Sequence, residues 1–369
     1  MNANRNVLLN AITKFSDETV VDRYEAVRDY FFHYMSEVEN NKIGAYDTSV
    51  SFAEKEEKVY QAFLSEVGRI SGYPKPDSLS FELWSANPQV KWATFATMGL
   101  MIDAIIPDTL IKSTGLWTDI TPVGYGETLE VTIEPNSLFT VSQGSNSKRH
   151  TFVQKQFPIS KTLVPVNHEL TVEVSLYKVL AGKESIARFL RKAVISMETE
   201  FTKDAYMAFD AVVEAGNFPA ELKHTGYTVD DLLRLCEVVS AYNGGARVAI
   251  LGTSRALNKV VPDAAVGYRI NTDSDNANIQ LIKGFFDYDI IKLPQVATGR
   301  GYKLALKDDR VYIVALGADK IIKSAIEGQS LTNIDQPYDN ANLVQKATIN
   351  KRWVCEAVTN ATMGCLKFA

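Results

Sequence analysis

The stretch Phe157-Pro158-Ile159-Ser160-Lys161-Thr162-Leu163-Val164-Pro165-Val166-Asn167-His168-Glu169-Leu170 decides how the middle of this chain is read. Its short apolar runs, Phe157-Pro158-Ile159 and Leu163-Val164-Pro165-Val166, are extended structure. Upstream, Leu129, Val131 and Ile133 alternate with Thr128, Glu130, Thr132 and Glu134, a period of two. Between the two lies polar turn material, Gln143-Gly144-Ser145-Asn146-Ser147, followed by Phe152-Val153. Residues 119–172 therefore predict a long β-hairpin with a polar tip. A two-stranded ribbon is marginal by itself in water. It must fold back on its own domain or lie on a neighbour.

Downstream, Ile186, Phe189/Leu190, Ala193/Val194, Met197, Phe201 and Ala205/Ala208 keep one helical stripe over residues 184–215. Gly216 ends it, and Pro219 follows. Such a helix spans roughly 45–50 Å, against a mean of about three turns in globular proteins; a structural strut is the natural reading. Residues 228–345 predict an α/β unit. Thr228 caps a helix that Asn243-Gly244-Gly245 stops. Val248-Ala249-Ile250-Leu251 is a short buried strand, Thr253-Ser254 opens another helix, and 288–293 and 311–315 are strand-like. The segment 346–368 alternates again.

Upstream, residues 1–70 predict helices. Val20, Tyr24, Val27, Phe31 and Tyr34 form one stripe, with a cap at 16–19. Val59, Phe63, Val67 and Ile70 form another near 52–70. Gly72, Pro74 and Pro76 break the chain. Two or three helices make a thin core, so this arm is expected to lie on something else. Residues 84–118 are mixed and apolar.

A chain of 369 residues exceeds the size at which one core stops growing, so more than one packed unit is expected. Residues 1–90 hold 9 basic and 14 acidic groups; the remainder holds 30 of each. The net charge of −5 thus sits in the N-terminal quarter, and a strongly basic nucleic-acid footprint is absent. Residues 148–207 carry ten basic and six acidic groups. That opposite asymmetry predicts the basic ribbon and strut meeting the acidic arm of the same or a neighbouring copy, setting register more than affinity. Cys236, Cys355 and Cys365 form no CxxC pair and are expected as reduced thiols. The first fifteen residues lack a signal peptide's apolar run, and no stretch is expected to approach the roughly 20 apolar residues of a membrane span.

Motifs for chemistry are sparse. His33, His150, His168 and His224 pair with no other His or Cys at metal-ligand spacing, and HExxH, GxSxG and the P-loop are absent. Gly124-Tyr125-Gly126 and Gly299-Arg300-Gly301 do not continue as dinucleotide fingerprints. His168-Glu169 suggests an acid–base pair, but neighbours in a strand face opposite ways. Asp273 and Asp275 suggest a cation site, but no further acidic ligand is near in sequence. No catalytic, cofactor-binding or metal-binding residue is assigned, and an enzyme is not expected.

The order of elements, with the 157–170 run leading through Leu176-Tyr177 into the strut and the Val248-to-Ser254 segment, resembles the Hong Kong 97-type capsid proteins of tailed phages and the related encapsulins. The resemblance covers about residues 95–369. It implies an α+β fold: an N-terminal helical arm (1–90), the start of a peripheral domain (91–118), an extended loop (119–172), the peripheral domain with its spine helix (173–227), an axial α/β domain (228–345), and C-terminal strands returning to the peripheral domain (346–369). It implies a major capsid protein whose pentamers and hexamers build an icosahedral head around double-stranded DNA, located in the virion and assembled in the host cytoplasm. Alternatives are an encapsulin-type compartment or another virion part such as a tail or adaptor protein. The implied partners are other copies of the chain, a scaffolding protein, a portal, a decoration protein and DNA contacted non-specifically, with no membrane. Inter-subunit contacts are expected at Lys148, Arg149, Lys155 and Lys161 in the ribbon, and at Asp273 and Asp275 in a polar loop. Some relatives cross-link a ribbon lysine to an asparagine of a neighbour. Asn350 and Asn360 are candidates here, but no motif pins a pair and the activity is not carried over.

Overall fold

The computed structural model describes residues 18–37, 44–74, 81–115, 117–134, 141, 157–174, 179–180, 185–215, 218–260, 284–285, 288–298, 301–317, 319–328, 330–334 and 345–368. Seven helices are described: α1 (Glu18–Glu37), α2 (Phe52–Ser71), α3 (Phe81–Ala86), α4 (Pro88–Thr114), α5 (Ile186–Glu214), α6 (Val229–Tyr242) and α7 (Ser254–Val260). The strands begin with β1 (Thr118–Val123), β2 (Leu129–Ile133), β3 (Ile159–Leu163), β4 (Val166–Val174), β5 (Lys223–Thr225) and β6 (Val248–Gly252). They continue with β7 (Gly284–Phe285), β8 (Tyr288–Lys292), β9 (Arg310–Ala315), β10 (Ile322–Glu327), β11 (Leu331–Ile334), β12 (Gln345–Ala357) and β13 (Gly364–Lys367). The order of helical arm, ribbon, long helix and α/β sheet is the order expected from the sequence.

The helix stripes are the buried faces. Val27, Phe31 and Tyr34 of α1 are buried, joined by Tyr30, Phe32 and Met35. In α2, Val59, Phe63 and Val67 are buried. Ser51 Oγ accepts the Glu54 N–H, and Gly72 closes the helix at φ 74°, a conformation other L-residues resist. The helix α5 spans 29 residues, about 43 Å. Its N-terminal half, from Leu190 to Phe201, packs with the arm and α4. Its C-terminal half, from Ala205 to Val213, packs under β6 and β9. One helix therefore spans two cores, which is what a spine requires.

The helix α4 was not legible in the mixed apolar text of 84–118. Val90, Phe95, Met98, Ile102, Ile105 and Leu110 are all buried and face more than one way. A helix surrounded by core has no polar face to reveal its period. Its Pro88–Pro107 part is long and apolar enough to cross a membrane by length and composition alone, which corrects the expectation that no stretch comes near. Two thirds of that part is buried inside the protein, as in a core helix. The arm is no separate layer either: α1 and α2 share one core with α4 and α5.

Two larger sheets carry the rest. The first has the order β1-β10-β12-β11, with β4 also paired to β12. β12 runs antiparallel to β4 from Gln345↔Val174 to Trp353↔Val166. The second has the order β5-β13-β9-β6-β8-β7, with α6 and α7 packed on β6 and β9. Both β6 and β9 are buried along their whole length, the pattern of central strands covered on both faces. Three placements differ from expectation. Within 119–172, β1 and β4 are sheet strands and, among the described residues, only β2 and β3 form the ribbon. Within 228–345, β10 and β11 join the first sheet. In the terminal segment 346–369, only β12 returns there, because β13 buries Cys365 and Leu366 between β5 and β9. The Asn243 side chain fixes that return: it donates to Thr362 O (2.8 Å) and accepts from Thr362 N (3.0 Å).

Candidate assembly interface at the ribbon and its base

The ribbon pairs Leu129 with Leu163, Val131 with Lys161, and Ile133 with Ile159. Leu129, Val131 and Ile133 are half-buried, while Glu130 and Thr132 are exposed. The return side carries an uncovered apolar run: Phe157 and Ile159 are 68% and 67% exposed, and Val164 and Val166 are also exposed. Single exposed apolar residues are ordinary, but a contiguous set marks an interaction surface. Of the six residues expected to make inter-subunit contacts, only Lys161 is described. Lys148, Arg149, Lys155, Asp273 and Asp275 lie outside the described residues. Lys161 is half exposed on β3 and forms an ion pair with Glu356 of β12.

Below the ribbon, Glu327 at the end of β10 holds both roots. Its side chain is 2% exposed. It accepts from Arg352 (2.7 Å) and from the Gly126 N–H (3.2 Å) on the outgoing root. Arg352 also donates to Pro165 O (2.9 Å) on the returning root. Gly126 sits at φ 72°, so the tight turn before β2 suits glycine. Glu127 folds back to accept the Gly124 N–H (2.8 Å). The carboxylate is compensated by a cation and a backbone donor, as a buried charge must be.

Two further charged joints are built into the fold, the second of them on the spine. Lys351 and Asp103, each 4% exposed, pair at 2.6 Å. Asp103 also accepts the Ser330 N–H (2.7 Å) and hydroxyl (2.6 Å). This ties α4 to β12 and to the start of β11. At the C-terminal end of α5, Arg310 donates to Asp210 (2.9 Å), Glu214 (2.5 Å) and Asp309 (2.8 Å). Lys307 pairs with Asp210 at 2.8 Å and Lys367 with Glu214 at 2.9 Å. Hydrogen bonds from Lys367 and Arg310 hold the Glu214 carboxyl well below the usual carboxylate range.

A third contact joins β4 to the spine. The His168 ring stacks on the Trp353 indole at 3.8 Å between centroids and 5° between planes. His168 Nε2 and Trp353 Nε1 both reach Asp204 Oδ2, at 3.1 and 3.0 Å. Burial pushes the Asp204 carboxyl up; the hydrogen bonds from His168 and Trp353 outweigh it and leave it below its ordinary value. A cavity of about 430 Å³, lined by Asn167, Glu169, Met197 and Glu200 among others, opens beside the ring. Glu169 points elsewhere and takes the Asn167 amide (3.0 Å), so it is no acid–base partner of His168.

Within this chain the arm meets the spine region through apolar packing and hydroxyl donors. Tyr60 donates to Leu180 O (2.5 Å), and Ser185 donates to Glu56 (2.7 Å), which also accepts from Tyr30 inside the arm (3.2 Å). Arm lysines and arginines pair inside the arm, as in Lys55–Asp29 (2.5 Å), Lys58–Glu54 (2.8 Å) and Arg69–Glu66 (2.6 Å). Sequence reasoning missed Glu327, Arg352, Asp204 and Arg310. Apart from Asp309 beside Arg310, the partners named here are 25 to 201 residues distant, and no local spacing signals them. The acidic pair Asp210 and Glu214, one turn apart on α5, was the single local hint.

No protein-family model and no curated protein matches the chain. Among solved structures, it is similar to the mature capsid of bacteriophage PhiM1, at 9% identity and TM-score 0.46, covering 69% of this chain and 86% of that one. The capsid of cyanophage P-SCSP1u is similar at 10% identity and TM-score 0.46, covering 69% and 88%. The holo-SrpI encapsulin complex of Synechococcus elongatus is similar at 10% identity and TM-score 0.42, covering 67% and 84%.

Proposed function

We propose that this chain is a major capsid protein: a structural subunit, not an enzyme, whose copies assemble into the closed icosahedral head of a tailed phage around double-stranded DNA. The observation that carries this reading is the ribbon. Its two strands pair with each other alone among the described residues, and an apolar run along β3 and the start of β4 is left in solvent. Such a ribbon gains its packing from another copy. Rigid anchoring of both roots on Glu327 and Arg352 supports the same reading, because a docking element must be presented at a fixed angle.

A head of this kind takes the chain in pentamers and hexamers. Heterologous contacts that close would build it. A scaffolding protein, a portal and a decoration protein are the further partners, with DNA contacted non-specifically on the inner face. The chain would then reside in the virion after assembly in the host cytoplasm. Expression of the chain, with a scaffolding partner where required, followed by electron microscopy, tests this. Closed particles packed with DNA support the proposal. Closed particles holding a protein cargo would move the chain to the encapsulin class. Tubes, or only small discrete oligomers, would overturn it.

A further inference from the structure

We propose that the outer edge of β4 is a strand-docking groove, and that its occupant is the ribbon of a second copy of this chain. The inference rests on the shell reading above and names the surface on which the ribbon completes its packing. β4 pairs with β12 and with no other strand among the described residues. Residues 347–350 of β12 pair with β11 as well as with β4, so β11 takes the opposite side of β12 and β4 is the outer strand there. At nine residues it is longer than the usual five or six. Folded proteins protect such an edge with lysine, proline or a bulge. Between Val166 and Val174 there is no lysine, arginine or proline, and the register with β12 runs without a bulge. An edge of this kind is a template for pairing with another chain.

The cavity of about 430 Å³ lies along that edge. Residues 167, 168, 169 and 170 all line it. Successive strand residues point to opposite faces, so a space that all four border runs beside the strand and not over one face. Ser196, Met197 and Glu200 of α5 form the second wall. Strands are added to sheets at such places: main-chain bonds along the edge supply affinity, and pockets for alternate side chains supply specificity. Charge and direction identify the occupant. The lining holds two carboxylates, Glu169 and Glu200, and no lysine or arginine. The return strand β3 belongs to a stretch, 135 to 165, that has no acidic residue and carries Lys148, Arg149, Lys155 and Lys161. Complementary charge of this kind sets register more than affinity. A subunit's own ribbon leads away from its own groove. Val166 faces Trp353, and Lys161 meets Glu356, three residues further along β12, so β3 continues the line of β4 instead of turning back beside it. The groove is left for the ribbon of another copy, a heterologous contact.

Hydrogen exchange of the unassembled full-length subunit tests the groove without a shell. The probe is a synthetic peptide of residues 148–163 at millimolar concentration, with a scrambled peptide as control. The β4 amides should slow by about tenfold when it binds, the factor expected for gaining one hydrogen bond. Ser196 is exposed on α5, so S196W fills the groove without entering the core. It should abolish the slowing, whereas S196A should keep it. E200Q should weaken binding about two- to fivefold at low salt, with the difference lost at high salt. Unchanged β4 exchange with the peptide, or equal slowing in S196W, would overturn the proposal. Should S196W not fold, the wild type decides: slowing at β4 and the facing turn of α5 supports the groove, and slowing confined elsewhere refutes it. Assembly separates this inference from the shell reading. If S196W closes into the same particles as the wild type, the groove fails and the shell reading stands. If the wild type forms no closed particles, the shell reading fails and the peptide result decides the groove.

Discussion

Replacing Glu327 by alanine removes a carboxylate that holds both roots of the ribbon. The side chain is 2% exposed and accepts from Arg352 at 2.7 Å and from the Gly126 N–H at 3.2 Å. Breaking a fully buried ion pair costs about 3–5 kcal/mol. Arg352 is one third exposed and keeps its bond to Pro165 O, so its abandoned charge is partly solvated. Gly126 is exposed, so its released N–H finds water and adds little. A net loss of about 2–4 kcal/mol follows for E327A. E327Q keeps an acceptor for each donor and loses only charge, so about 1–2 kcal/mol is expected. A double-mutant cycle with R352M, read by urea unfolding of the unassembled subunit, isolates the pair. A coupling energy below about 0.5 kcal/mol, the scatter of independent sites, would refute the role of Glu327 as the ribbon's anchor.

K351M should destabilise the subunit by about 3–5 kcal/mol in the same assay, because it leaves Asp103 buried with only Ser330 to compensate it; the double variant D103L/K351M should lose less than K351M alone, and equal losses would refute that explanation. Glu214 titrates in the folded chain below its ordinary range, so the joint at Arg310 contributes stability above that range and loses it as pH falls through it. E214Q should therefore show a shallower loss of thermal stability on acidification than the wild type, and identical pH profiles would contradict the assignment. Burial pushes the Cys236 and Cys365 thiols up to about 12. Both should resist a thiol reagent at about pH 8 in the native subunit and react once it is unfolded, a difference read by mass spectrometry; equal labelling in the two states would contradict their burial.

Elements with a polar face were legible. The spine stripe from Ile186 to Phe201, the Thr228 cap, and the left-handed glycines at 72 and 244 all announce themselves within a few residues. The helix α4 did not, because core surrounds it and leaves no amphipathic period. Strand destinations were harder still. β12 and β13 are neighbours in sequence and alternate alike, yet they enter different sheets, a choice made by distant partners. The candidate interface divides the same way. The ribbon follows from period-two text, and Lys161 within it finds Glu356. The anchors do not follow: Glu327 meets Gly126 across 201 residues, and Asp204 meets Trp353 across 149. Aromatic residues such as Tyr30 and Phe31 pack the arm against the spine within this chain, and charge counts do not register them.

The central claim is that the ribbon completes its packing on another copy of this chain. A cryo-EM map of assembled particles tests it most directly. The account predicts Ile159, Val164 and Val166 covered by side chains of a neighbouring copy, with Glu327 and Arg352 still bridging Gly126 and Pro165 beneath them. Closed particles in which these apolar residues face solvent, with the ribbon touching no neighbour, would contradict it.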